Sequence, residues 1–189
     1  MAGGPWRELT RAFDDFIQRR KEDQMVHDVF SVIQFSSGPR LVQSRIDLWN
    51  VKMDAQQSGG TEFSGAMQLA CGEFAQCQQL GKTPILIFMT DGCANDSVQA
   101  GQILNSCISQ FPSTSGFQAH VIGFGSEASQ PMLRELAGGY GTIHTAKIGQ
   151  LSTTFQNICS NANISAALYT EIGDKIASQI KTQLADDFL

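Results

Sequence analysis

An aspartate at the end of an apolar run is the residue of this sequence that most directly suggests a binding site. Residues 85–89 are Ile-Leu-Ile-Phe-Met, and they lead without a polar break into Thr90, Asp91 and Gly92. Such a run predicts a strand that is buried on both faces, as in a parallel sheet covered by helices. Ligands of open α/β sheets bind where the strands end. We therefore expect the function to lie at Asp91 and at the groups that converge on it.

The sequence contains no recognisable catalytic motif. The glycines between Gly123 and Ser126 are only superficially similar to a phosphate-binding loop, because the lysine of a P-loop is missing. No serine lies in a nucleophile elbow, and no cysteine–histidine pair matches a known signature. His27, His120 and His144 are not spaced as metal ligands, so we interpret them as structural. The sequence therefore predicts a binding protein and not an enzyme.

Composition argues against two classes of partner. The 189 residues include 18 acidic and 13 basic side chains, and the basic cluster 19–21 is short, which disfavours nucleic acid. No apolar run is long enough to span a membrane. The N-terminal residues lack the pattern of a signal peptide. Five cysteines without a CxxC pair favour a reducing compartment. Together these features predict a cytoplasmic protein.

Apolar periodicity predicts helices that alternate with strands. The predicted strands cover 26–35, 41–46, 85–90, 117–124 and 141–145, and the predicted helices begin near Pro5, Glu62, Ser97, Gln130 and Leu151, with a last helix over 168–184. The first two strands are too close in sequence to be parallel, so they form an antiparallel pair. This pattern is typical of a doubly wound α/β fold, with a mostly parallel sheet, one antiparallel edge strand and helices on both faces. We expect one domain over 1–160 and a C-terminal helical extension over 161–189.

An ordered set of motifs in this sequence resembles the von Willebrand factor A (vWA) domain. Ser58-Gly-Gly-Thr61 precedes a helix, and Ile85-Leu-Ile-Phe-Met-Thr-Asp91-Gly follows it. His120-Val-Ile-Gly-Phe-Gly125, the segment 133–139 and the strand 141–147 come next, in the order of the family. The resemblance covers roughly residues 4–159. It is closer to the intracellular branch, because the flanking disulfide pattern of the adhesive branch is missing.

The resemblance implies a metal-ion-dependent adhesion site (MIDAS), in which three loops bind a divalent cation. The second and third loops carry a threonine and an aspartate, which correspond to Thr61 and Asp91. A hard cation such as Mg²⁺ takes oxygen ligands and keeps several waters. In the family, an acidic side chain of a protein partner completes the coordination. The resemblance therefore implies a non-enzymatic protein-binding module.

The first loop of that site has no counterpart in this sequence. The family's first strand and its Asp-x-Ser-x-Ser loop should lie just upstream of residues 3–6, so we expect a fragment or a truncated gene product. The site would then be incomplete and its affinity for Mg²⁺ weak. The strand is central in the family, between the strands 26–35 and 85–90. Each large apolar side chain that it would bury contributes about 1.5–3 kcal/mol, so we expect marginal stability unless another segment fills its place.

Two simpler interpretations and one other function remain open from the sequence. Thr61 could be the N-cap of the helix that follows it, and Asp91-Gly92 could be an ordinary turn. The alternating pattern also fits a flavodoxin-like domain that binds a nucleotide or a phosphate, either as an enzyme or as a binding protein.

Overall fold

Helices and strands alternate through the part of the chain that the computed structural model describes, which is residues 4–55, 59–111, 116–125, 128–147 and 149–160. The elements are α1 (Gly4–Glu22), β1 (Val29–Phe35), β2 (Pro39–Asp47), α2 (Ser64–Gln79), β3 (Ile85–Thr90), α3 (Ser97–Ile108), β4 (Gln118–Phe124), α4 (Gln130–Ala137), β5 (Gly141–Ala146) and α5 (151–160). The predicted C-terminal extension over 161–189 lies outside the described residues, and so does Ser58 of the predicted glycine-rich loop.

The strands form two hydrogen-bonded groups. β3, β4 and β5 form a parallel sheet in that order, with Phe88 opposite Val121 and Val121 opposite Ile143. β1 and β2 form an antiparallel hairpin, with Phe35 opposite Pro39. Among the described residues, no strand is hydrogen-bonded between the hairpin and the parallel sheet. The predicted α/β fold with parallel strands and an antiparallel edge strand is confirmed, but its sheet is divided.

β1 and β3 run in the same direction on the two sides of this division. Near their starts, Lys82 Nζ donates a hydrogen bond to the carbonyl of His27 at 3.0 Å. Towards their ends, the rings of Phe35 and Phe88 stack with their centroids 5.0 Å apart. Phe63, which precedes α2, packs edge-on against both rings, at 5.8 and 5.4 Å. These three rings, which we call the aromatic cluster, join the hairpin to the parallel sheet.

Side chains alternate between two cores on the two faces of the sheet. Leu86 and Phe88 belong to the core formed with α2, α3 and α4. Ile87 and Met89, which point to the opposite face, pack against the core formed with α1 and α5. This alternation is expected for strands covered by helices on both sides, and it confirms the predicted layers.

A cavity of about 550 Å³ lies between β1 and β3. Both strands line it, together with residues of α1, α2 and α5. β3 was predicted to be buried on both faces, and this is wrong in part, because Ile85 is 36% exposed and Ile87 and Met89 are only partly buried. β4, which has a strand on each side, is buried from Ala119 to Phe124. β3 is therefore less buried than β4 because one of its edges faces the cavity instead of a neighbouring strand.

Element boundaries differ from the predictions by a few residues. β1 begins at Val29 instead of residue 26, and the side chain of Val26 is 47% exposed. α4 begins at the predicted residue, where Ser129 Oγ accepts a hydrogen bond from the Met132 amide, and Gly138 ends the helix with φ of 60°.

Helices α3 and α4 approach each other closely at Gly101. A Cβ atom at this position would lie 2.0 Å from the carbonyl oxygen of Glu135, a backbone atom of α4. Gly72 in α2 offers a contrast, because nothing lies within 4 Å of a Cβ atom placed there. Both glycines are inside helices, where alanine has the better intrinsic propensity.

We expect Gly101→Ala to lower the free energy of unfolding by about 1–3 kcal/mol, because α3 and α4 must separate to admit the methyl group. The matched control Gly72→Ala should raise it by roughly 0.5–1 kcal/mol. Urea denaturation of both variants measures the difference. Equal effects of the two substitutions would contradict the close approach.

Candidate functional site

Thr61 lies beside the turn that follows β3. A Cβ atom placed on Gly92 would be 3.8 Å from Thr61 Oγ1. Thr61 and Asp91 both line the cavity between β1 and β3, at the end where the strands stop. Thr61 is exposed and Asp91 is partly buried. The structure thus brings together the two loops whose side chains the sequence singled out.

The β1–β2 turn holds the loop that carries Thr61. The amide of Gly60 donates a hydrogen bond to Ser37 Oγ at 2.7 Å, and the amide of Glu62 donates one to the carbonyl of Ser36 at 2.9 Å. Gly59 has φ of 142°, which side chains rarely adopt, and a Cβ atom there would lie 2.7 Å from Ser37 Oγ. The Thr61 loop is therefore fixed to the hairpin on both sides of the threonine.

Thr90 stabilises the turn that carries Asp91. Its buried side-chain oxygen accepts a hydrogen bond from the Gly92 amide at 3.2 Å and donates one to the Gly92 carbonyl at 3.1 Å. The turn is thus built by the last residue of β3, next to the parallel sheet, and Asp91 is the residue at its apex.

Asp96 holds the start of α2, a role that the sequence did not predict. Its carboxylate accepts hydrogen bonds from the amides of Phe63 at 3.0 Å and Ser64 at 2.7 Å. Thr61 is therefore not the N-cap of this helix. Asp96 also occupies the N-cap position of α3, but its side chain makes no hydrogen bond to that helix.

The pKa of Asp96 reports the same interaction. Partial burial acts to raise this pKa, but hydrogen bonds from Ser64 and Phe63 outweigh it and leave the pKa below its ordinary value. A charged carboxylate also suits the positive end of the α2 dipole. No local sequence signal could have shown these contacts, because Asp96 lies 33 and 32 positions after Phe63 and Ser64, whose amides donate to it.

The described residues offer few ligands for a metal ion. No group of three His, Cys, Asp or Glu side chains in the described ranges is arranged to hold one. Thr61 and Asp91 supply a hydroxyl and a carboxylate, which are the kinds of oxygen that a hard cation binds. The donor types fit Mg²⁺, but two protein oxygens form only part of an octahedral shell.

Two of the histidines contact each other, which sequence reasoning missed. His120 Nδ1 and His144 Nε2 lie 3.1 Å apart on the adjacent strands β4 and β5. Burial, together with the neighbouring His144, lowers the pKa of His120 to about 4, and burial also lowers the pKa of His144. Both rings are therefore neutral near pH 7, in keeping with their interpretation as structural residues.

Similarity to solved structures settles the fold. Proximal thread matrix protein 1 from the mussel byssus matches with a TM-score of 0.60 and 20% identity, over 81% of this chain and 42% of that chain. A von Willebrand factor type A protein from Catenulispora acidiphila matches with a TM-score of 0.56 and 18% identity, over 81% and 37%. This chain has the vWA fold. It spans about two fifths of the length of these structures, and at such identity the similarity establishes the fold alone.

A third matching structure contains a bound metal ion. It is the mussel byssus protein with a zinc-occupied MIDAS motif, which matches with a TM-score of 0.53 and 19% identity over 81% of this chain and 42% of that chain. No protein-family profile and no curated protein sequence matches the present chain.

None of the described helices is both long enough and apolar enough to cross a membrane. No disulfide bond joins any of the five cysteines, all of which lie among the described residues.

We expect Asp96→Ala to lower the free energy of unfolding by about 1–2 kcal/mol, because the first amides of α2 lose their acceptor. Asn95→Ala is the matched control, since Asn95 is the exposed neighbour in the same loop, and it should change stability by less than about 0.5 kcal/mol. Urea denaturation at pH 7 measures both. A neutral effect of Asp96→Ala would show that other groups hold the start of α2.

The pKa of His120 predicts a loss of stability in mild acid. The folded ring resists protonation down to about pH 4, whereas the unfolded ring takes up a proton below its ordinary pKa of 6.5. The free energy of unfolding should therefore fall by about 2 kcal/mol between pH 6.5 and pH 4 on account of this residue. His120→Gln should flatten that dependence, whereas His27→Gln, at an exposed position, should retain it. Unfolding curves across this pH range are the measurement, and a wild-type slope in His120→Gln would contradict the assignment.

Proposed function

We propose that this chain is a non-enzymatic protein-binding module of the vWA type, which binds an acidic side chain of its partner through a divalent cation. One observation carries the proposal. The Thr61 hydroxyl lies beside the Asp91–Gly92 turn, although the two loops are about thirty positions apart and belong to different parts of the sheet. Both residues line the cavity at the end of the strands, where open α/β sheets bind ligands, and this supports the proposal.

The chemistry of these two side chains favours Mg²⁺ as the cation. A neutral hydroxyl and a single carboxylate leave most of the octahedral shell to water, which Mg²⁺ retains readily. The zinc-occupied MIDAS of the mussel protein supports a divalent ion at this position of the fold. Because the described chain contributes two ligands, we expect a dissociation constant on the order of millimolar, at the weak end of protein sites for divalent ions.

The charge of the chain favours a bridging role for the cation. The formal net charge is −5, so an acidic partner would be repelled by the protein alone. A bound cation reverses the local charge at Asp91 and offers an open coordination position to a carboxylate. Binding of an acidic partner should therefore require the divalent ion and weaken with added salt.

We also propose that the protein acts in the cytoplasm. The support is the set of five cysteines without a disulfide bond, which is usual for proteins in a reducing compartment.

We expect Mn²⁺, as a paramagnetic substitute for Mg²⁺, to broaden the amide resonances of Gly60, Glu62 and Gly92 first. Thr61→Ala and Asp91→Ala should each weaken this effect at least tenfold, because each removes one of the two protein oxygens. Thr153→Ala and Asp14→Ala are the matched controls, since they remove an exposed hydroxyl and an exposed carboxylate elsewhere. They should leave the titration unchanged.

Competition by excess Mg²⁺ establishes whether the two ions share the site. Retention of an aspartate-rich peptide by the immobilised protein then tests the acidic partner, and it should require Mg²⁺ and fail with Asp91→Ala. Broadening centred on other loops, or full retention by both site variants, would refute the proposed function.

A further inference from the structure

Two cysteines from different helices meet where α2 packs against α3. Cys71 of α2 and Cys107 of α3 form a hydrogen bond through their side chains. Cys71 Sγ also lies 4.0 Å from the carbonyl oxygen of Ile103, which precedes Cys107 by about one helical turn. Residues four apart lie on the same face of a helix, so both contacts come from the face of α3 that packs against α2. The two sulfur atoms are therefore side by side.

The two helices that carry these cysteines are hydrogen-bonded to different parts of the divided sheet. On α2, the Glu73 carboxylate accepts hydrogen bonds from Ser31 Oγ of β1 at 2.5 Å and from Ser44 Oγ of β2 at 2.8 Å. On α3, which connects β3 to β4, Ser97 Oγ donates a hydrogen bond to the Glu135 carboxylate of α4 at 2.6 Å. A covalent bond between α2 and α3 would therefore link the hairpin to the helices of the parallel sheet.

The two thiols differ in reactivity. Their hydrogen bond, together with burial, raises the pKa of Cys71, and the same hydrogen bond lowers the pKa of Cys107 against the opposite effect of burial. The thiolate is the nucleophilic form of cysteine, so Cys107 is the more reactive of the two. Cys107 is 7% exposed, whereas Cys71 is only partly buried. The pair is therefore open to a small oxidant on the Cys71 side.

We propose that Cys71 and Cys107 form a reversible disulfide bond when the protein meets hydrogen peroxide. The Cys107 sulfur attacks one peroxide oxygen, which breaks the O–O bond and gives a sulfenic acid and a water molecule. The Cys71 sulfur then attacks the sulfenic sulfur, the S–S bond forms, and the departing hydroxide leaves as a second water with the Cys71 proton. The two sulfurs lose two electrons, and the peroxide gains them. A dithiol reductant reverses the reaction by thiol–disulfide exchange.

The geometry favours this bond over a permanent structural disulfide. Both thiols are in the reduced form in the structure, and because their sulfurs are already in contact, a bond between them requires little movement of the helices. In reducing compartments, disulfides are usually transient and respond to oxidants. The bond would thus form under oxidative conditions and restrain α2 against α3 until it is reduced.

Mass spectrometry of the folded full chain after treatment with peroxide, without divalent cations, tests the bond independently of the cation site. We expect each chain to lose two hydrogen atoms, to remain a single unlinked molecule, and to regain its original mass with dithiothreitol. Cleavage after Glu73 and before Asp96 separates Cys71 and Cys107 from the neighbouring cysteines of the sequence. The linked peptides then identify which two sulfurs are joined.

Serine variants and urea denaturation supply the controls. Cys71→Ser should abolish the disulfide and leave a sulfenic acid at Cys107 that dimedone labels. Cys77→Ser, the matched change at another partly buried position of α2, should retain the disulfide. Peroxide should raise the urea midpoint of the wild type by roughly 1 M, because the bond restrains the unfolded chain, and it should not raise the midpoint of Cys71→Ser. Cys71→Ala gives the same distinction without a new hydroxyl in the core.

Several results would overturn the proposal. A disulfide that joins other cysteines, links two molecules or forms only in urea would assign the oxidation to different chemistry. Equal amounts of the disulfide product in Cys71→Ser and in the wild type would do so as well. The proposal would also fail if both thiols stayed reduced in the folded chain at a peroxide concentration that modifies the exposed Cys93.

Discussion

Contact among three phenylalanine rings connects the two parts of the sheet. Phe35 belongs to the hairpin, Phe88 belongs to the parallel sheet, and Phe63 precedes the helix that covers both. Aromatic pairs of this geometry contribute about 0.5–1.5 kcal/mol each beyond the area that they bury. Among the residues that the structure describes, backbone hydrogen bonds do not join β1 to β3, so side-chain contacts such as these position the hairpin. The position of Thr61 follows from it, because Phe63 is only two residues away.

Much of the architecture could be predicted because the signals are local. The apolar runs of β3 and β4, the short turn before β2, and the Ser129 and Gly138 ends of α4 each depend on a few adjacent residues. The burial of β3 could not be predicted in the same way. An apolar run shows that a strand prefers burial, but the neighbour that provides it is set by sheet order and not by the strand's own residues.

The candidate site shows the same division between local and tertiary information. A threonine and an aspartate after predicted elements could be identified from their motifs, and the structure places their loops side by side. The role of Asp96 could not be identified from a motif, because this residue follows β3 but accepts hydrogen bonds from the start of α2. The contact between His120 and His144 was missed for a related reason, since it depends on the register of two parallel strands.

The two loops of the candidate site are attached to different parts of the sheet. Ser36 and Ser37 tie the Thr61 loop to the β1–β2 hairpin, whereas Thr90 ties the Asp91 turn to the parallel sheet. The distance between the side-chain oxygens of Thr61 and Asp91 therefore depends on the separation of β1 and β3, which we call the width of the sheet. An ion that binds both oxygens stabilises one width, and a segment that sets this width alters the affinity for the ion by the same free energy. The proposed ion site therefore links ion binding to sheet assembly, even though the two sets of contacts share no atom.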